Sequence, residues 1–150
     1  MPLIGLDKVE KAIGDLVVEQ NNRVKAIYIQ GLSAIITQTP VSFKDGGRLR
    51  NNWFLTTDKP SQSTRGVNLR GNGSYSSLNK MPEFVLDKTI YFTNNMPYAT
   101  TVEYGLYPKN PSKGSYIGNG QYQILSQNGY SKQAPNGMVR ANLVRMRAKL

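Results

Sequence analysis

NNMPYATTVEYG, residues 94–105, is the stretch from which the fold of this chain is read outward. A β-type run precedes it, Thr89-Ile90-Tyr91-Phe92-Thr93, rich in β-branched and aromatic residues. Asn94-Asn95 suits a turn, because asparagine tolerates conformations that most residues avoid. Pro97 has a fixed φ and no N–H, which fits the first turn of a helix. On such a helix Tyr98, Val102 and Gly105 share one face, with Ala99 and Glu103 beside them. Gly105 reads as the stop. The stretch therefore predicts a strand, a sharp turn and two helical turns closed by glycine. Glu103 is expected to cap or to pair with a basic side chain such as Arg48 or Arg140, a structural rather than a catalytic role.

On the N-terminal side, Leu6 to about Ile36 carries apolar residues at helical spacing: Leu6, Val9, Ile13, Leu16, Val17, Val24, Ile27, Tyr28 and Ile35. Asp7, Glu10 and Asp15 lie where the helix dipole favours acid. Such a helix would be roughly 45 Å long, weakened by Gly14 and Gly31, with a bend expected at Gln20–Asn22. Its stripe needs a surface. The first expectation is the chain's own sheet; the alternative is that part of it packs on a neighbouring subunit. Pro40 ends the helix by holding Thr39 out of the α region. Asp45-Gly46-Gly47 is a turn signal, after which Leu49 and Trp53–Thr57 read as a strand with Trp53 as a core anchor. Arg48 and Arg50 would then point away from the face of Leu49.

Residues 59–82 are rich in Ser, Gly and Asn, with Arg65, Arg70 and Lys80 and no acid. Residues 106–132 contain Tyr116, Tyr122 and Tyr130 among glycines and prolines. Both read as long loops, and as contact arms that order only against a partner. The fragments 70–73 and 114–120 lack the spacing of phosphate cradles. Further strands are expected near 84–93 and 121–125. Beyond QAPNGMVR, residues 133–140, a terminal helix is expected to show Met138, Ala141, Val144 and Ala148 on one face, with Leu143, Met146 and Leu150 near its edge. The fold class is α+β: a long N-terminal helix and a C-terminal helix packed on a mainly antiparallel β-sheet, in a single domain.

The 150 residues suffice for a real core. No apolar run is long enough to span a membrane, and the start MPLIGLDKVEK meets charge too soon for a signal peptide. Cysteine and histidine are both absent. That removes disulfides, thiolate sites, and the commonest general base and metal ligand. No cofactor is expected. The net charge is +10, and residues 61–150 carry eleven basic against three acidic side chains. Such a balance fits an anionic partner or, equally, solubility.

Three pieces then stand together: TPVSFKDGGRLRNNW at 39–53, NNMPYATTVEYG at 94–105 and QAPNGMVR at 133–140. In order and spacing they resemble the small tail-component family of tailed bacteriophages, the tail-completion and neck proteins. In that family a Pro-Val-(x)-Thr-Gly-Arg-Leu-Arg-x-x-Trp segment follows a long N-terminal helix. An Asn-x-x-Pro-Tyr-Ala-x-x-x-Glu-Tyr-Gly corner comes next, then a Pro-x-Gly-Met-(Val)-Arg start to the last helix. The positions carrying the match are Pro40, Gly47, Arg48, Leu49, Trp53, Asn95, Pro97, Tyr98, Ala99, Glu103, Tyr104, Gly105, Pro135, Gly137, Met138 and Arg140. One departure is Lys44-Asp45-Gly46-Gly47 where the family has Thr-Gly, which implies a longer turn. The two long loops are not covered.

The resemblance implies a non-enzymatic virion protein of the neck or tail, made in the host cytoplasm. It implies a homo-oligomeric ring, six-fold as a first guess, bound to other neck, connector or tail-tube proteins. Double-stranded DNA would pass through its lumen. An alternative is a basic DNA-binding protein outside the virion, though no groove-reading motif is present. A third class is a metal-dependent nuclease using Glu83, Asp87 and Glu103, for which the spacing gives no support.

Overall fold

The structure, a computed structural model, describes residues 5–42 and 46–150. Helix α1 spans Leu6–Gln38 without a break, 33 residues or about 50 Å. A 3₁₀ turn at Arg50–Asn52 leads into β1, Trp53–Thr56. Helix α2 covers Asn72–Leu78, β2 Tyr91–Asn94 and α3 Ala99–Tyr104. Four short strands follow: β3 Tyr116–Gly118, β4 Gln121–Tyr122, β5 Ser126–Gln127 and β6 Tyr130–Ser131. Helix α4, Arg140–Lys149, completes the order.

The class is α+β, as the periodicities indicate. The strands form three separate antiparallel pairs, β1–β2, β3–β4 and β5–β6, rather than one broad sheet. The strand expected over 84–93 is confined to 91–94, and the one near 121–125 to its first two residues. β1 pairs with β2 in a register that sets Trp53 opposite Asn94 and Thr56 opposite Tyr91. Its other edge is closed by side chains. The N–H groups of Trp53 and Leu55 donate to the hydroxyls of Ser74 and Ser77 on α2, at 2.9 and 2.8 Å. Two buried serines thus take the place of a third strand, satisfying donors that would otherwise be orphaned.

That contact overturns the reading of 59–82 as one long loop. The segment contains α2, and a set of buried polar groups ties the rest of it down. Asn52, fully buried, donates to Arg48 O and Arg65 O and accepts from Arg65 N. Asn51 donates to Gly66 O and accepts from Gly73 N. The ordering cost is met by hydrogen bonds in a desolvated setting, which composition does not reveal.

The strand expected from Leu49 begins only at Trp53, so Arg48 and Arg50 do not flank a strand residue. Arg48 is exposed. Arg50 turns back and donates to Thr39 O from Nε and Nη2, at 3.0 and 2.9 Å, and to Thr37 O. It therefore caps α1, whose terminal carbonyls need donors and whose dipole favours a cation there. The longer turn expected at 44–47 lies largely outside the described residues.

The core gathers Ile35 and Ile36 of α1, Trp53, Leu55, Val85 and Met138. α4 crosses α1 where Met146 lies over Gly31; a Cβ there would stand 2.2 Å from the Met146 sulfur. Gly31 is thus a crossing point as well as a weak helix former. The inner face of α4 is Asn142 and Met146, not the expected face through Val144 and Ala148, both of which are exposed. Asn142 is tolerated inside because it donates to Gln38 Oε1 and Met138 O.

The stripe of α1 is covered over only half its length. Every residue from Leu6 to Gln20 is exposed, and burial begins at Asn21, which bonds Glu83 O and Val85 N. The first fifteen residues of the helix therefore stand clear of the body. The helix is not interrupted at 20–22.

Limited proteolysis is expected to separate the two segments that look alike by composition. Residues 108–124 are mostly exposed and form only the two-stranded β3–β4 ribbon, so cleavage should start there. The 59–82 segment should survive until the body unfolds. Early nicking at Arg65 or Arg70 would contradict the bonded arrangement described above.

Candidate functional site

α3 closes at Gly105, which takes the left-handed conformation expected of a helix stop. Two residues earlier, Glu103 points inward and is only 5% exposed. Facing it is the start of α4, whose N-cap Val139 has no side chain able to bind the free N–H groups. Glu103 supplies the acceptor from across the fold. Met138 N and Val139 N donate to Oε2 at 2.6 and 3.0 Å, and Arg140 N to Oε1 at 3.0 Å. Arg140 Nε adds an ion pair to Oε1 at 3.0 Å. Gly137, at φ +75°, lets the carboxylate lie against the backbone; a Cβ there would stand 2.8 Å from Oε1.

The Arg140 guanidinium is itself half-buried. It donates to the carbonyls of Glu103 and Gly129, and lies over the rings of Tyr104 and Tyr130, 4.6 and 4.1 Å from their centroids. Burial by itself would raise the Glu103 pKa. The N–H groups of Val139, Arg140 and Met138, with the Arg140 guanidinium, outweigh it and hold the carboxyl below its ordinary value. All these groups stabilise the charged form, so the joint is a brace rather than an acid poised to give up a proton. Of the two pairings expected for Glu103, the structure selects Arg140.

The other sequence pieces meet the same framework. Asn94 donates to Leu49 O at 2.9 Å and accepts from Met96 N, so the corner is bonded to the Arg-Leu-Arg stretch. Asn95 donates to Ser61 O and Ser63 O. Pro97 and Tyr98 sit at the exposed turn before α3, with Ala99 half-buried as its first residue. Pro40 is half-buried, Gly47 and Leu49 buried, and Pro135 exposed. Met138 is 1% exposed.

Of the residues expected as contact points, the structure divides them. Arg65 is committed within the chain: it donates to Asn51 O and Trp53 O and lies over Phe54 at 3.7 Å. Burial lowers its pKa from the ordinary value. It is a brace for the 59–82 segment, a correction to its reading as an outward contact. Tyr130 likewise belongs to the Arg140 joint. Arg70 and Lys80 are exposed, and Tyr116 is exposed with its ring edge-on to Tyr122, 5.5 Å apart.

The carboxylates weighed for metal chemistry are not brought together. Glu83 and Asp87 are exposed, Asp87 beside Lys88 at 3.5 Å, while Glu103 is enclosed by its donors. Among the described residues no three acidic side chains form a possible metal cluster. No helix there is long and apolar enough to cross a membrane. Only two ion pairs occur among those residues, leaving most basic side chains without a carboxylate partner. No protein-family model, curated protein or solved structure matches the chain.

Proposed function

We propose that this chain is a non-enzymatic structural protein of a tailed-phage neck or tail, acting in tail completion or head–tail joining. It assembles as a ring, six-fold as the first expectation, through which double-stranded DNA passes. The observation that carries the assembly part is the bare apolar stripe of α1. Leu6, Val9, Ile13, Leu16 and Val17 recur along one helical face, each between 42 and 58% exposed. A stripe of this length on one exposed element marks a surface used against other protein. The joint at Glu103 adds to this reading, since it spends the one buried carboxylate among the described residues on bracing two helices. The virion assignment draws on the three sequence pieces that resemble the tail-component family, and the fold holds those pieces in contact. The largely unpaired basic surface suits phosphates in a lumen by counterion release.

Mass measurement by light scattering and electron microscopy of the purified protein test the proposal. Closed rings of uniform size are the expected result. A chain that stays monomeric at all concentrations overturns it. If that monomer binds duplex DNA with a steep salt dependence, the reading becomes a DNA-binding protein outside the virion.

A further inference from the structure

The projecting half of α1 differs from the rest of the chain in charge as well as in exposure. Residues 6–20 hold four of the nine carboxylates, Asp7, Glu10, Asp15 and Glu19, against two of the nineteen basic residues, Lys8 and Lys11. The arm is therefore acidic on an otherwise strongly basic protein. Its charges lie mostly on the side opposite the stripe formed by Leu6, Val9, Ile13, Leu16 and Val17.

The body carries a surface of matching character. Tyr28 and Leu32 of α1, Ile90 and Phe92 at β2, and Val139 and Leu143 around α4 line an apolar groove of about 370 Å³. Leu143 is 51% exposed on its wall. α4, which forms that wall, has no acidic residue and carries exposed Arg147 one turn beyond Leu143, whereas Arg145 and Lys149 face the other side of the helix beside Gln30 and Ala34. An acidic amphipathic helix with an apolar stripe fits a groove that is apolar within and basic beside it.

The arm cannot reach the groove of its own chain. Tyr28 and Leu32 lie on the same unbroken helix, so the arm runs straight away from the groove they line. Another copy is not so restricted. We infer that the Leu6–Gln20 arm of each subunit docks in the Tyr28–Phe92–Leu143 groove of a second copy of this chain. Arm and groove are different surfaces, so the contact is head-to-tail, and repetition gives a ring if the rotation closes. Two arms pairing with each other would instead bring together two acidic segments and leave both grooves open. The inference rests on the self-assembly part of the proposed function and names the contact that performs it.

Two variants test it, each at an exposed position that the fold of the monomer does not use: Ile13→Asp on the arm and Leu143→Asp in the groove. Each buries a carboxylate without a partner if the contact forms. Both should keep the wild-type circular dichroism spectrum and a cooperative melt, at a somewhat lower temperature because subunit contacts no longer add stability, yet run at the 16.7 kDa monomer mass. Mixed in equal amounts they should form a dimer and nothing larger, because one intact arm and one intact groove remain. Assembly by either variant alone overturns the inference, as does a mixture of monomers that never pair, while wild-type rings would keep the ring reading intact. Assembly by Leu143→Asp with loss in Ile13→Asp would point to arm–arm pairing instead. A monomeric wild type would end both the ring reading and this contact.

Discussion

Replacing Glu103 with alanine should destabilise the fold by about 3 kcal/mol, near the low end for breaking a buried charge pair. The low end applies because the Arg140 side chain keeps 34% of its surface in water. The loss has two parts. Three N–H groups at the start of α4 lose their acceptor, and losing a cap alone costs about 1 kcal/mol. The guanidinium also loses its carboxylate while it stays held between Tyr104 and Tyr130. For a domain of this size the melting temperature should fall by roughly 6–12 °C. Glu103→Gln keeps an acceptor oxygen but turns an amide N–H₂ toward other donors, so it should cost nearly as much. A fall of less than 2 °C in both variants would mean that the joint does not brace the two helices.

The same carboxyl gives the acid limb of stability a defined sign. Its pKa is lowered in the folded chain, whereas an unfolded glutamate titrates at about 4.3. Its contribution is therefore complete above that value and is lost as pH falls through the folded pKa. Glu103→Gln has no proton to take up there. The stability gap between wild type and Glu103→Gln should be constant near neutrality and close progressively below about pH 4.3. Denaturant melts at a series of pH values measure it. A gap that stays constant to pH 3 would show that the charge contributes nothing.

This joint was legible in the sequence because its parts are local signals with fixed chemistry. A glycine stop follows Glu103-Tyr104, and a glycine turn precedes Met138 and Arg140, so a carboxylate and a cation come from two helix ends. What stayed hidden depends on groups far apart in the chain. Ser74 and Ser77 lie in a Gly-, Ser- and Asn-rich stretch whose propensities speak against a helix. Their bonds to the edge of β1, the acceptors Asn51 and Asn68 at its first turn and the burial of Leu78 in the core make one favourable there. Arg50 looked like a strand residue because alternation cannot show that the end of α1 lies beside it. Asn142 misled in the opposite direction: a polar residue on the inner face of α4 shifts the apparent stripe toward Val144. Periodicity did locate the α1 stripe, but it records which face is apolar and not what covers it. Half of that face meets the core and half is left exposed among the described residues.

Trp53→Ala should cost about 4 kcal/mol, a fall in melting temperature of roughly 8–16 °C. The indole is 5% exposed and lies parallel to the Phe92 ring, with centroids 5.1 Å apart. It therefore joins the β1–β2 pair to the end of α1, and alanine would leave a cavity where these elements meet. Its Nε1 also donates to Thr39 Oγ1 at 2.9 Å, and that hydroxyl in turn donates to Ile35 O. Trp53→Phe separates the two contributions. It keeps a ring against Phe92 and removes the N–H donor, while Thr39 retains its bond to Ile35. The loss should then be about 1–2 kcal/mol, one hydrogen bond plus a small void. Circular dichroism is the suitable readout, since both variants remove the chain's only tryptophan. Equal losses in the two variants would assign the stabilisation to the bond with Thr39 rather than to ring volume. A loss under 1 kcal/mol in Trp53→Ala would remove Trp53 as the anchor between α1 and the strands. In either case the Ser74 bond to Trp53 N should persist, because it is made by the backbone. Hydrogen exchange at that amide then reports whether α2 stays seated while the core beneath it loosens.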